Sequence, residues 1–229
     1  MMTIKKYILA VALFLSATAV SFAQNSNTAA DQDNYTQVIT KRSEKIVSSL
    51  GLTDSVKFKK VEGIVVDQYR TLGIIHDTRN AKAKDIKAQA GDDKAKATAQ
   101  TAALDSATGL QLNQAHAAYL AKLSAELSPE QIDKVKDAMT YNILGVTYGA
   151  YLDELPTLTD AQKAQIKAWL VEARELAIDA ESSEKKHAVF GKYKGRINNY
   201  LSKQGYDMKK AEDDWQQRIK ARQQQKTNG

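Results

Sequence analysis

The stretch DSVKFKKVEGIVVDQYRTLGIIHDTRNAKAKDIKAQAGDD, residues 54–93, decides the fold. Phe58, Val61, Val65, Tyr69, Leu72 and Ile75 recur at three- and four-residue steps, the period of one helix face. No proline interrupts the run, and Gly91-Asp92-Asp93 supplies a turn at its end. A second long segment rich in Ala, Thr and Gln follows, from about Lys94 to Ala125. Leu104, Leu112, His116, Tyr119 and Leu123 form its stripe. Two long amphipathic segments joined by a tight turn predict an antiparallel helix hairpin.

The flanking segments are helical as well. Val38, Ile39, Ile46, Val47 and Leu50 outline a short first helix, stopped by Gly51. Ser128-Pro129-Glu130-Gln131 and Thr159-Asp160-Ala161-Gln162 both fit the capping box, a hydroxyl residue with Gln three positions on. The helix from Ser128 carries Ile132, Val135, Met139 and Ile143, then an aromatic stretch loosened by Gly145 and Gly149 and closed by Pro156. The helix from Asp160 turns Ile166, Trp169, Leu170, Ala173, Leu176 and Ala177 inward. A further helix runs from about Glu184 to Lys203, with Gly205 as its C-cap. Asp207 caps the last helix, which carries Met208, Ala211, Trp215 and Ile219. No segment alternates as a half-buried strand does. The expected fold is all-α: a helical bundle built on a long antiparallel hairpin with shorter C-terminal helices.

Residues 1–23 read as a secretory signal peptide. Lys5 and Lys6 form a positive start, Tyr7 to Val20 an apolar run, and Ser21-Phe22-Ala23 a cleavage site. A polar lead-in, residues 24–34, is expected to be disordered, a single helical domain to fill 35–222, and the Gln-rich end, 223–229, to fray. The cleaved protein is expected to be periplasmic or secreted, with no integral membrane segment.

Composition narrows the chemistry. Cysteine is absent, which removes disulfides, thiolate nucleophiles and Cys-based metal sites. The net charge is +6. Because a secreted protein does not normally meet nucleic acid, a basic patch points to an anionic glycan or an envelope surface. His76, His116 and His187 are scattered, none at a metal-ligand spacing, so no metal and no cofactor are expected. His116 reads as a packed helix residue.

The candidate site lies between Glu184 and Leu201. At 100° per residue, Lys185, Lys192, Arg196 and Asn199 fall within about 60° of one another. Tyr200 flanks them, and Gly191 and Gly195 lie four apart in the same helix. Cations, an amide and an aromatic edge suit an acidic sugar. His187 and His76 complete the set of expected ligand contacts. The competing reading is internal pairing: Glu172, Glu175 and Asp179 share a face of the preceding helix and are positioned to neutralise Lys185, Lys192 and Arg196. The same carboxylates do not form a spacing that demands acid–base catalysis, and no catalytic residue is assigned.

Trp169-Leu170-Val171-Glu172-Ala173-Arg174-Glu175, continuing through Asp179-Ala180 to the run from Lys186 to Leu201, resembles an uncharacterised domain-of-unknown-function family of secreted Bacteroidota proteins. Lys136-Asp137-Ala138-Met139-Thr140-Tyr141 and Ile75-His76 are similar too. The resemblance spans roughly Tyr35 to Arg218. It implies a helical, non-catalytic, sugar-binding protein used in plant polysaccharide utilisation, pectins among the substrates. Leu158-Thr159-Asp160-Ala161-Gln162 also matches the Leu-Thr-x-x-Gln signature of small periplasmic stress chaperones. The alternative function is therefore a helical chaperone or envelope scaffold.

Overall fold

In the computed structural model, which describes residues 29–227, the chain forms α1 (Ala29–Ser48), α2 (Ser55–Ala90), α3 (Lys94–Ser124), α4 (Pro129–Met139), α5 (Ile143–Glu154), α6 (Asp160–Ile178), α7 (Ser183–Lys203) and α8 (Met208–Thr227). Among the described residues there is no strand. The all-α bundle is as expected. The signal-peptide segment, residues 1–23, lies outside the described residues, as do residues 24–28 of the lead-in. Residues 29–34 belong to α1, which is longer than its apolar residues alone indicate, and α8 continues past Arg222 to Thr227.

The helix ends follow from their side chains. Asp54 accepts from the amides of Val56 and Lys57, and Gly91 ends α2 at φ 54°. Asp93 accepts from the Lys96 amide to start α3. Both capping boxes form: Ser128 with Gln131, and Thr159 with Gln162. Each satisfies two amides that the first turn leaves without partners. Ser128→Ala should therefore cost about 1 kcal/mol in urea unfolding. A variant as stable as the parent would show that the cap contributes nothing.

α2 and α3 pack along each other as the hairpin, α2 about 54 Å long at 1.5 Å per residue. Two cores result. The first holds Val47, Val61, Val65, Tyr119, Leu123 and Met139, and takes Ile178 from the end of α6. The second holds Tyr151, Leu155, Ile166, Leu170, Phe190, Ile197 and Leu201 from α5, α6 and α7, with α8 packed at its margin. α6 thus joins the two, and its C-terminal turn lies where they meet.

Three expectations about the helices are corrected. The helix from Ser128 is two helices, broken at Thr140–Asn142 and not loosened at Gly145 and Gly149. Thr140, fully buried, donates its hydroxyl back to Lys136 O and Asp137 O, and Tyr141 and Asn142 turn left-handed at φ 57° and 53°. Leu176 points to solvent at 54% exposure, because the buried arc of α6 runs through Ala173, Arg174, Ala177 and Ile178. Trp169 is only half-buried, at the edge of the second core.

Candidate functional site

The last carbonyls of α6 have no helical donors and must find others. Lys186 Nζ donates to Ile178 O at 2.9 Å, and His76 Nε2 to Asp179 O at 2.8 Å. A carbonyl only accepts, so His76 carries a proton on Nε2. Asp179 places a carboxylate at the negative end of α6, where local electrostatics oppose it. It survives there, 9% exposed, through tertiary partners. His116 Nδ1 stands 2.6 Å from Asp179 Oδ2, and Gln68 Nε2 donates to Oδ1 at 3.3 Å.

The other nitrogen of His116 lies 3.5 Å from Glu175 Oε2, which also accepts from Lys136 Nζ at 2.8 Å. Hydrogen bonding to Asp179, then to Glu175, raises the His116 pKa to about 9, so the imidazole is a cation at neutral pH. Burial on its own would raise the Glu175 carboxyl; hydrogen bonds from His116 and Lys136 outweigh that and hold it at about 2. Arg174, buried beside it, donates to Asp137 and Asp133 of α4 at 2.7 and 2.6 Å. This network ties α2, α3, α4 and α6 together at the junction of the two cores.

Above the end of α6 opens a groove of about 1350 Å³, walled by α1, α2, the α4–α5 turn and the α6–α7 turn. Lys186 reaches it from α7. Its burial, 6% exposed, pulls the amine down to about 8; Asp179 raises it, and the nearby Arg42 lowers it further. Arg42 is exposed on the groove wall and forms no salt bridge among the described residues. Its charge also reaches Tyr35 and Tyr69. Burial pushes the Tyr69 phenol to about 12, so it stays protonated. Tyr35 Oη donates to Tyr69 O at 3.1 Å. Gly73 makes room for that hydroxyl, which would stand 3.0 Å from a Cβ there. Tyr141, on the left-handed turn, stacks against His187 with ring centroids 6.0 Å apart. Left-handed backbone at two successive non-glycine residues stores strain, and here it aims an exposed ring across the groove mouth.

Residues 36–221 match the family model described as a protein of unknown function (DUF3826). The chain belongs to the DUF3826 family. The match runs from α1 into α8, so the groove of this DUF3826 protein, apart from Gln32 and Tyr35 on its wall, and the Asp179 network fall within the family domain. Comparison with curated proteins finds no match.

The structure divides the seven expected ligand residues. His76 lines the groove and His187 stands at its lip. Lys192, Arg196, Asn199 and Tyr200 gather elsewhere, around a shallow pocket of about 640 Å³ between α6 and α7 that also includes Trp169, Gly195 and Lys203. Lys185 stands exposed at the start of α7. The expected pairing with acidic residues is realised only for Arg196, whose guanidinium lies 3.4 Å from Glu172 and 4.5 Å from the Trp169 ring centroid. Tyr200 meets the same ring edge-on at 5.2 Å. Glu175 and Asp179 turn instead to His116, which corrects its reading as a packed helix residue.

Spacing does not reach Arg42, Tyr35, Tyr69, Tyr141 or Lys186 as one site, since they come from three helices and a turn. One signal was available: an aspartate at the end of α6, just before the polar turn Glu181-Ser182-Ser183, conflicts with the helix dipole, and such conflicts mark positions that tertiary contacts decide. Among the described residues no group of His, Asp and Glu is arranged to hold a metal ion, and no helix is long and apolar enough to cross a membrane.

Proposed function

We propose that this DUF3826 protein is a non-catalytic carbohydrate-binding protein of the cell exterior, and that the groove takes an acidic glycan. The observation that carries this reading is Arg42: an exposed guanidinium without an ion pair, set among Tyr35, Tyr69 and Tyr141 and beside Lys186 in a groove of about 1350 Å³. A guanidinium holds a carboxylate through two parallel hydrogen bonds. Neutral phenols donate to and accept from hydroxyls, while their rings cover the apolar face of a pyranose. Two carboxylates line the groove, Asp77 and Glu181; Glu181 accepts from Asn80 Nδ2 at 2.7 Å, and no catalytic step is assigned to either.

Arg42→Ala tests it. The side chain is exposed, so the fold should be untouched and thermal unfolding unchanged. Affinity for a uronate oligosaccharide, measured by calorimetry, should fall about tenfold or more, the loss of a charge-assisted hydrogen bond. Undiminished affinity would remove the groove from the binding event.

A second reading has its own observation. Tyr35, Val38, Ile74 and Tyr141, all exposed, line the same groove. An apolar rim on a concave helical surface suits a chaperone or envelope scaffold that holds an unfolded segment. Suppression of client aggregation that is lost in Val38→Ser with Ile74→Ser, and indifferent to uronate, would favour it over glycan binding.

A further inference from the structure

α7 is strongly basic. It carries Lys185, Lys186, Lys192, Lys194, Arg196 and Lys203 against one acidic residue, Glu184. Lys185, Lys192, Arg196, Asn199 and Lys203 fall within about 60° at 100° per residue, on the face opposite Phe190 and Ile197. From Lys185 to Lys203 this face runs about 27 Å. Its first residue, Lys185, sits in the chain between Ser182, Ser183 and Lys186, which line the groove; its far part lines the shallow pocket beside Trp169 and Tyr200. Among the described residues no salt bridge reaches Lys185, Lys192 or Lys203; of the acidic residues of α6, Glu172 is used on Arg196, while Glu175 and Asp179 turn away to His116. The positive charge is therefore left for a partner.

The backbone of this face is bare as well. A Cβ at Gly191 or Gly195 would meet nothing within 4 Å, so no neighbouring helix requires either glycine. Glycine in an exposed helix interior is unfavourable against alanine. Gly195 lines the shallow pocket with Lys192, Asn199 and Lys203, and its missing side chain leaves open space there.

We propose that the outer face of α7 is a second subsite that continues the groove and holds a linear polyanionic glycan along its length, so that the protein selects long acidic chains over short ones. The inference rests on the groove reading for the chain's other end. An oligomer that fills only the groove gains nothing from α7. A polymer engages both, and the second contact forms at the high local concentration set by the first. Because α7 contributes exposed charges, this added affinity weakens with salt.

The experiment compares a uronate trisaccharide with polygalacturonate on three forms of the full chain: the parent, Lys192→Ser with Lys203→Ser, and Gly195→Glu. The last places bulk and a negative charge where the structure has open space. The trisaccharide should bind all three equally. Polygalacturonate should bind the parent about tenfold or more tighter than the trisaccharide, and both variants should lose that gain. A polymer that binds no tighter than the trisaccharide, or a gain that survives in either variant, overturns the α7 subsite and leaves the groove standing. A trisaccharide that fails to bind while the polymer still depends on Lys192 and Lys203 overturns the groove and keeps α7. Single-stranded DNA binding as tightly as polygalacturonate reads as bare charge attraction and overturns the assignment to a glycan.

Discussion

Asp179→Ala should destabilise the protein by about 3–5 kcal/mol, the range for removing one partner of a buried ion pair. The carboxylate is 9% exposed and is the single group that joins His116 of α3 and Gln68 of α2 to the end of α6. Its loss leaves the imidazolium with only the longer contact to Glu175 at 3.5 Å and leaves the Gln68 amide without its acceptor. Urea unfolding of parent and variant measures the difference. Asp179→Asn keeps the shape and one acceptor oxygen and should fall between the two. A loss below about 1 kcal/mol for the alanine variant would mean that the network contributes no more than an ordinary exposed ion pair.

The same network should impose an alkaline limit on stability. His116 is raised to about 9 in the folded protein from its ordinary 6.5, so the folded state binds its proton more tightly than the unfolded chain does. Its contribution is complete below about pH 6.5 and disappears as pH rises through about 9. At about 1.36 kcal/mol per unit the shift corresponds to about 3.4 kcal/mol, which solvent screening of the part-exposed ring reduces to about 2–3 kcal/mol. Glu175 works in the opposite sense. Its carboxyl is held at about 2 against an ordinary 4.5, so its contribution is present above about pH 4.5 and is lost as pH falls toward 2. The network is thus at full strength between about pH 4.5 and 6.5. Denaturant unfolding at about pH 6 and pH 9.5 should show the parent losing about 2–3 kcal/mol more than His116→Gln. Parallel losses in the two proteins would show that the imidazolium is not the group responsible.

Both results concern a part of the molecule that periodicity misread. On α3, His116 lies on the same stripe as Leu112, Tyr119 and Leu123, and a histidine in that position reads as packing. Only the arrival of α6 beside α3 puts two carboxylates against its ring. The acidic face of α6 was visible, and so was the basic face of α7. Their mutual pairing was the simpler expectation. It fails for Glu175 and Asp179 because His116 of α3 and Lys136 of α4 come within hydrogen-bond reach of those two carboxylates, while Glu172 meets Arg196 of α7.

The break at Thr140–Asn142 teaches the same lesson from the other side. Gly145 and Gly149 looked like the weak points of that helix, but glycine merely permits a break. The helix turns where Thr140 is buried and donates its hydroxyl back to the preceding carbonyls. That turn is what presents Tyr141 to the groove.

What the sequence determined by itself is everything local. Helix periods, the Gly91 turn, the two capping boxes and the cationic face of α7 depend on residues within a turn or two of each other, and side-chain geometry decides them before any tertiary contact forms. The tertiary structure alone decided where the polar groups meet. Arg42, Tyr69, Tyr141 and Lys186 belong to different helices and one turn, as do Gln68, His116 and Asp179, and no spacing along the chain encodes their meeting. The physical reason is range: a hydrogen bond or ion pair acts over a few ångströms, and only the packing of two apolar cores against the end of α6 brings those side chains that close.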